Sequence, residues 1–305
     1  MKEIVILSGK GGTGKTSLVG SLAYLAKNKI LVDCDVDAAD LHLLLDPKPR
    51  SSHEFRSGVK AKVISDQCSG CGICVDLCQF EAITMDLVGR TALMNPLSCE
   101  GCGVCAHFCP EQAIVLEENY CGDWFISDTD YGPLVHAQLF AGEENSGKLV
   151  SFIKRQAREL AEQTGGDLIL IDGAPGIGCP VIASLSGVDM VLAVTEPSQS
   201  GWHDLERVLD LALHFRLQSF VCINKWDLHP EMAASIEIAC VERGIEVLGR
   251  IPFDPTVIQC QIQGTPVVCN EQSPAAVAIR KIWQALGVRQ ISLCKETRGL
   301  GSKKA

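Results

Sequence analysis

No stretch of this 305-residue chain stays apolar for the ~18 residues that a membrane-crossing helix requires, so spanning helices are excluded. The apolar opening, Ile4-Val5-Ile6-Leu7, is too short for a secretory leader and runs directly into a glycine-rich loop. A cytoplasmic location is expected. Basic charge is also scarce: 27 Lys and Arg face 37 Asp and Glu, for a net charge of −10. Binding a phosphate backbone needs a basic surface, so no nucleic-acid partner is expected. The segment from Gln290 to Ala305 lacks an apolar helical stripe, and Lys303-Lys304 reads as a solvated end, so a membrane partner is disfavoured. Against these absences, apolar residues make up 47% of the chain, which supports a real core and argues against disorder. The length suits one large domain or two modest ones.

Cysteine, by contrast, is abundant, at 16 residues. Disulfides of a secreted protein are opposed by the length, the missing leader and the spacing; in a cytosolic chain such spacing reads as metal binding. Two runs stand out: Cys68-x2-Cys71-x2-Cys74-x3-Cys78, followed by Gln79, and Cys99-x2-Cys102-x2-Cys105-x3-Cys109, followed by Pro110. This is iron–sulfur spacing, in which the fourth cysteine of each run ligates the other cluster. Cys68, Cys71, Cys74 and Cys109 are therefore assigned to one [4Fe–4S] cluster, and Cys99, Cys102, Cys105 and Cys78 to a second. Zinc also takes Cys-x2-Cys, but four cysteines per run, duplicated, exceed the needs of a zinc site. The missing proline after Cys78 removes no ligand; it leaves open whether the two clusters have matched potentials. Cys34, Cys121, Cys179, Cys222, Cys240, Cys260, Cys269 and Cys294 are scattered, mostly in apolar contexts, and read as small buried hydrophobes.

The two cysteine runs belong to an internal repeat. Residues 62–87 align with 93–118 at a fixed offset, and Glu81-Ala82-Ile83-Thr84 answers Gln112-Ala113-Ile114-Val115. Each half suggests strand, cysteine loop, short helix, strand, a unit too small to bury much core without bound clusters. On either side the pattern is α/β. Short apolar strands are expected at 4–7, 30–32, 168–171, 190–194, 220–223 and 247–251, with helices at 15–27, 203–215 and 231–243 and a hairpin over 123–137. Continuous apolar strands alternating with helices predict a mostly parallel sheet covered on both faces. The division expected is a P-loop domain over 1–57 and 120–290, an inserted α+β ferredoxin-like domain over 58–119, and a tail over 291–305.

Gly9-Lys10-Gly11-Gly12-Thr13-Gly14-Lys15-Thr16 follows the first strand and opens a helix. Small residues there let backbone N–H groups converge on phosphate oxygens, and the helix N-terminus adds partial positive charge. Lys15 is placed to neutralise the β/γ-phosphates, Thr16 to offer its hydroxyl to Mg²⁺, and Ser17 to approach the α-phosphate.

Lys10 gives this loop the form Lys-Gly-Gly-x-Gly-Lys-Thr, which resembles the deviant Walker A motif of the MinD/ParA ATPases. The resemblance implies ATP, a homodimer in the ATP state, and a Lys10 that reaches the partner's nucleotide. Leu31-Val32-Asp33-Cys34-Asp35-Val36-Asp37 resembles the family's switch I, which implies Asp35 for the attacking water ahead of Asp33 or Asp37. Leu168-Ile169-Leu170-Ile171-Asp172-Gly173-Ala174-Pro175-Gly176 resembles Walker B with switch II and implies Asp172 for Mg²⁺. Ile223-Asn224-Lys225-Trp226-Asp227 resembles the base-recognition loop, with Asn224 on adenine. It also resembles the Asn-Lys-x-Asp guanine motif, so GTP is the alternative. Ile251-Pro252-Phe253-Asp254 resembles a second base-side loop, carrying Pro252, or is simply the turn that ends a strand.

Across nearly its whole length the chain resembles MinD-superfamily ATPases that carry an inserted ferredoxin domain, whose wider relatives include the nitrogenase iron protein and cluster-scaffold ATPases. The function implied is an ATPase that couples ATP to electron transfer through two [4Fe–4S] clusters toward a redox partner. The alternatives are a cluster-assembly or maturation factor serving an apo-acceptor, and a redox-sensing spatial organiser. Cys179, near switch II, is read as a buried thiol ahead of a dimer-facing ligand.

Overall fold

The computed structural model describes residues 1–86, 88 and 90–300, with 288–300 described by backbone only. In chain order its elements begin with β1 (Lys2–Ser8), α1 (Lys15–Leu25), β2 (Lys29–Asp33), α2 (Leu41–Leu45), β3 (Lys48–Val63), α3 (Ile73–Leu77) and β4 (Ile83–Met85). There follow β5 (Ala92–Met94), α4 (Val104–His107), β6 (Ile114–Thr129), β7 (Gly132–Leu139), α5 (Ser146–Thr164), β8 (Leu168–Asp172) and α6 (Cys179–Leu185). The last are β9 (Met190–Thr195), α7 (Gln199–His214), β10 (Gln218–Asn224), α8 (Pro230–Glu242), β11 (Glu246–Ile251), α9 (Pro255–Ile262) and α10 (Pro274–Leu300). The backbone of α10 thus runs to Leu300 within the stretch expected as a tail. Residues 301–305, with Lys303-Lys304, lie outside the described residues, as do the side chains on which the missing stripe was read.

Two compact units emerge: one of residues 1–52, 124–138 and 146 onward, the other of 53–123 and 139–145. In the first, strands β11, β10, β9, β1, β8, β2 and β7 lie in that order, and each successive pair is parallel. Every residue of β8 and β9 is buried, which is why these strands read as unbroken apolar runs. Strand alternation sends Ile4 and Ile6 toward Leu18 and Leu22 of α1 and Ile279 and Ile282 of α10, in one continuous core. Fully burying each such side chain contributes about 1.5–3 kcal/mol. The helices start on local signals: Ser198 caps α7 by accepting the Gly201 N–H at 3.0 Å, and Asp254 caps α9 by accepting the Thr256 N–H at 2.9 Å.

β7 and β6 are neighbours joined across Asp130-Tyr131, so they form the expected hairpin, with a first strand that begins at Ile114 rather than near 123. The sequence gives no sign of β3. Its sixteen residues are mostly polar and exposed, with Phe55 and Ala61 its buried positions, so no apolar alternation marks it.

The second unit contains α3, α4 and the small antiparallel pair β4–β5, which sets Ile83 opposite Met94 and Met85 opposite Ala92. Its core is slight: Ala61, Ile83, Ala92 and Ile114 with Cys74 and Cys105. The unit extends past the cysteine repeat because β3 and β6 continue as strands beyond it, and because residues 139–145 join it. Glu143 accounts for the latter, meeting Lys60 Nζ at 2.8 Å and accepting from Asn119 Nδ2 at 2.6 Å.

Candidate nucleotide and cysteine sites

In the first unit the chain leaves β1, turns through the glycine loop and enters α1 at Lys15. Gly14 caps α1 without a side-chain acceptor, and no acidic residue occupies the first turn. The leading N–H groups are therefore unpaired with side chains and face an anion's position. A cavity of about 540 Å³ lies against them. Gly11, Gly12, Thr13, Gly14, Lys15, Thr16, Ser17, Asp35, Asn224 and Pro252 all line it; Lys10 and Asp172 do not. The Thr13 hydroxyl is buried with no hydrogen-bond partner, a polar atom that a nucleotide phosphate would satisfy.

Lys15 and Asp172 form a buried ion pair. Burial works against the lysine charge, but Asp172, and behind it Asp33 and Asp35, outweigh burial and raise the Lys15 pKa. Asp33 stands opposite Asp172 across β2 and β8. It accepts from the N–H of Asp35 at 3.0 Å and of Leu41 at 3.3 Å, so it braces the loop after β2. Burial and the Asp172 charge push the Asp33 carboxyl well up. Asp35 is raised to about 6, first by burial and then by Asp172, Asp37 and Asp40, against the pull of Lys15.

Lys10 turns onto its own chain: its Nζ lies 2.7 Å from Glu196 and donates to Ser200 Oγ at 2.9 Å. Glu196 also holds Lys225 at 3.2 Å, and Lys225 donates to the Gly12 carbonyl at 2.9 Å. Asn224 donates one amide N–H to the Thr13 carbonyl at 2.7 Å and accepts from the Lys225 N–H at 3.0 Å, bracing the phosphate loop. Asp227 accepts from the Phe253 N–H at 2.7 Å and does not line the cavity, whereas Phe253, Val257 and Ile258 do. Sequence reading missed Glu196 and its pairing with Lys10 and Lys225. The available signal was an acid at the carboxyl end of a buried parallel strand, where open α/β sheets gather their ligand contacts.

The second unit sorts the eight cysteines of its repeat into two separate cavities, while of the scattered cysteines expected to be buried, Cys179 and Cys269 are exposed. Cys68, Cys71, Cys74 and Cys109 line one; Cys78, Cys99, Cys102 and Cys105 line the other. The repeat persists in the backbone: Gly70 and Gly101 take φ of 71° and 65°, and Glu81 and Gln112 take 51° and 52°. A Cβ at Gly70 would stand 2.2 Å from the Arg90 carbonyl oxygen and one at Gly101 2.0 Å from that of Val59, so both positions require glycine on two counts. Backbone N–H groups point at sulfur: Ala82 to Cys78 at 3.3 Å, Ala113 to Cys109 at 3.3 Å and Ala61 to Cys99 at 3.4 Å. Among the described residues no three His, Cys, Asp or Glu side chains converge closely enough to hold a single metal ion.

Residues 4–267 match the model of the CobQ/CobB/MinD/ParA nucleotide binding domain. The chain belongs to the MinD/ParA family. An uncharacterised protein of Methanocaldococcus jannaschii is 34% identical over 93% of this chain and 96% of its own length. An iron–sulfur cluster carrier protein of Pyrococcus horikoshii is 24% identical over 99% of this chain and 89% of its own. The septum site-determining protein MinD of P. horikoshii, solved with Mg-ADP, superposes with a TM-score of 0.58 at 18% identity, over 93% of this chain and 95% of that one. The first unit is therefore a MinD/ParA nucleotide-binding domain with α/β, mostly parallel architecture. Among the described residues no helix is long and apolar enough to cross a membrane.

Proposed function

We propose that the chain binds and hydrolyses ATP and uses the change of state to control electron transfer through two [4Fe–4S] clusters held in its second unit. The observation that carries this reading is the sorting of eight cysteines into two four-thiol cavities with N–H groups aimed at sulfur, in a chain that also forms a phosphate-binding loop. Cys68, Cys71, Cys74 and Cys109 would hold one cluster and Cys78, Cys99, Cys102 and Cys105 the other. Four thiols to a cavity, duplicated, with backbone N–H groups aimed at sulfur suit an iron–sulfur cluster in each. When bound, the clusters supply one-electron carriers, and their ligation supplies the cohesion that so small a core lacks.

In the first unit the phosphate loop and Lys15 would hold the phosphates, and Thr16, with Asp172 once Lys15 turns from it to the nucleotide, would hold Mg²⁺. Asp35 orients the attacking water. Lys10, released from Glu196, reaches the nucleotide of a second copy in an ATP-bound homodimer. Adenine fits better than guanine. A guanine-reading Asp227 would have to face the base, and its carboxylate is turned to the Phe253 N–H. The remaining Asn224 N–H and the Pro252–Phe253 loop form the base side of the cavity.

Anaerobic purification with iron and sulfide counting, followed by EPR with and without MgATP, tests the reading. About eight irons per chain and a partner-reduction rate that rises with MgATP are expected; Lys15→Ala should abolish the rise and keep the iron. Two zinc ions per chain, or partner reduction indifferent to nucleotide, would sink it. A second reading, cluster delivery to an apo-acceptor, is favoured by the P. horikoshii relative's name. It predicts iron loss to an apo-protein on ATP addition, which four-thiolate ligation opposes.

A further inference from the structure

We propose that helix α5 is the element that carries the state of the switch II segment (173–178) to the cysteine-bearing unit, with Asn145 as its hinge and Lys154 as its grip on α6; this rests on the gating reading above. Four observations lead to it. First, α5 begins at Ser146, where the chain passes from the second unit's segment 139–145 back into the first. Asn145, the junction residue, takes φ 81°, a left-handed conformation that Asn tolerates better than other non-glycine residues and that turns the chain sharply at the junction. Second, the N-terminus of α5 packs against the start of α6, directly after switch II. A Cβ built on Gly147 would lie 3.1 Å from Cys179 Cβ and 3.2 Å from its carbonyl oxygen.

Third, α5 grips the far end of the same helix. Lys154 is buried and donates to the carbonyls of Ala183 at 3.2 Å, Ser184 at 2.6 Å and Ser186 at 2.7 Å, the carbonyls that α6 leaves unpaired where it ends. One turn further on, Arg158 is fixed to buried Glu3 of β1 at 2.5 Å and 2.8 Å. Leu149, Val150, Ile153, Ala157 and Ala161 bury one face of α5, a helix of nineteen residues about 28 Å long; with Arg158 anchored to β1, a displacement of α6 would fall on the N-terminal end of α5, next to Asn145. Fourth, the other side of the hinge is pinned within the second unit: Glu143 joins Lys60 and Asn119 there. A shift of α6 that accompanies rearrangement of 173–178 therefore has a covalent and hydrogen-bonded route into the cysteine unit. No remote contact is needed.

The test uses the full, cluster-loaded chain and hydrogen exchange with and without Mg²⁺ and a non-hydrolysable ATP analogue. In the native chain the analogue should change protection in α6, in α5 and in 139–145. Insertion of Gly-Gly-Ser between Asn145 and Ser146 should leave ATP affinity and the α6 response within about twofold of native and abolish the response of 139–145. Lys154→Met should shrink the response of 139–145 at least threefold, and Lys154→Arg should restore it. An inserted variant whose 139–145 still responds at native size, or a native chain in which α6 responds and 139–145 does not, overturns the proposal. Failure of the gating reading looks different: 139–145 responds in the native chain while partner reduction ignores nucleotide. Conversely, ATP-dependent partner reduction unaffected by the insertion leaves gating standing and removes α5 from it.

Discussion

Lys10 Nζ lies 2.7 Å from Glu196, and the same carboxylate holds Lys225 at 3.2 Å. Burial raises the Glu196 pKa, but the two lysines outweigh it and hold the carboxyl below its ordinary value, so the pair is charged at neutral pH. On the proposed function, Lys10 would have to give up this carboxylate before reaching a second nucleotide. Both side chains are partly exposed, so the pair stabilises the resting position by only about 0.5–1 kcal/mol. Glu196→Gln should therefore lower the ATP concentration for half-maximal dimerisation by roughly two- to fivefold, read by light scattering across an ATP titration. Dimerisation that weakens instead would show that Glu196 assists Lys10 in the dimer.

Asp227 joins the loop after β10 to the loop after β11 by accepting the Phe253 N–H. If its role is to hold the base-side wall and not to read the base, Asp227→Ala should weaken ATP and GTP binding alike, by about three- to fivefold for an exposed charge-assisted hydrogen bond. Competition binding with the two nucleotides checks this. A selective loss of GTP would restore the guanine reading.

Cys78 ends the first cysteine run yet lines the cavity of the second. Cys78→Ser should alter the EPR signal of one cluster and remove up to four irons per chain while the other signal persists. The matching change, Cys109→Ser, should spare the signal that Cys78→Ser destroys. If both variants perturb the same signal, the crossed ligation is wrong.

How much of this was legible in sequence depended on whether a feature was local. β1, β2, β8, β9 and β10 were readable because burial on both faces makes a strand nearly uniformly apolar, and edge strand β11 through its short apolar residues Val247, Leu248 and Ile251. The grouping of the two cysteine runs into two sets of four was readable because each run is written in short spacings. β3 was not readable, since a long strand of exposed polar residues has no apolar period. Glu196 with Lys10, and Glu143 with Lys60, were invisible for another reason: each pair is far apart in sequence and meets only through sheet order. Asn224 shows the limit of motif reading. Its loop suggests a base contact, and the residue lines the cavity; what the motif does not tell is that one of its amide N–H groups also braces the phosphate loop at the Thr13 carbonyl.

His136 gives the first unit a pH dependence whose sign is fixed by burial. It sits in β7, stacked on Phe125 with ring centroids 5.0 Å apart and its Nε2 2.9 Å from Ser127 Oγ. Burial, with a smaller push from His42, lowers its pKa to about 4. An unfolded chain would take up this proton near pH 6.5. The folded imidazole stays neutral, so the stabilisation is complete above about pH 6.5 and drains away as pH falls toward 4. The full difference corresponds to about 1–3 kcal/mol once partial exposure is allowed for. Asp35 acts in the opposite direction over part of this range. Its carboxyl is raised to about 6, so its burial costs most above that pH and is relieved as pH falls. Asp33, raised to about 8, acts in the same direction as Asp35, so the wild-type slope alone mixes several groups and a variant is needed. His136→Gln keeps a partner for Ser127 without the titration. Urea unfolding of His136→Gln and wild type at pH 7, 6 and 5 should show the variant's stability falling less steeply by about 1 kcal/mol or more over that interval. Parallel curves would mean that His136 titrates in the folded chain as it does in the unfolded one.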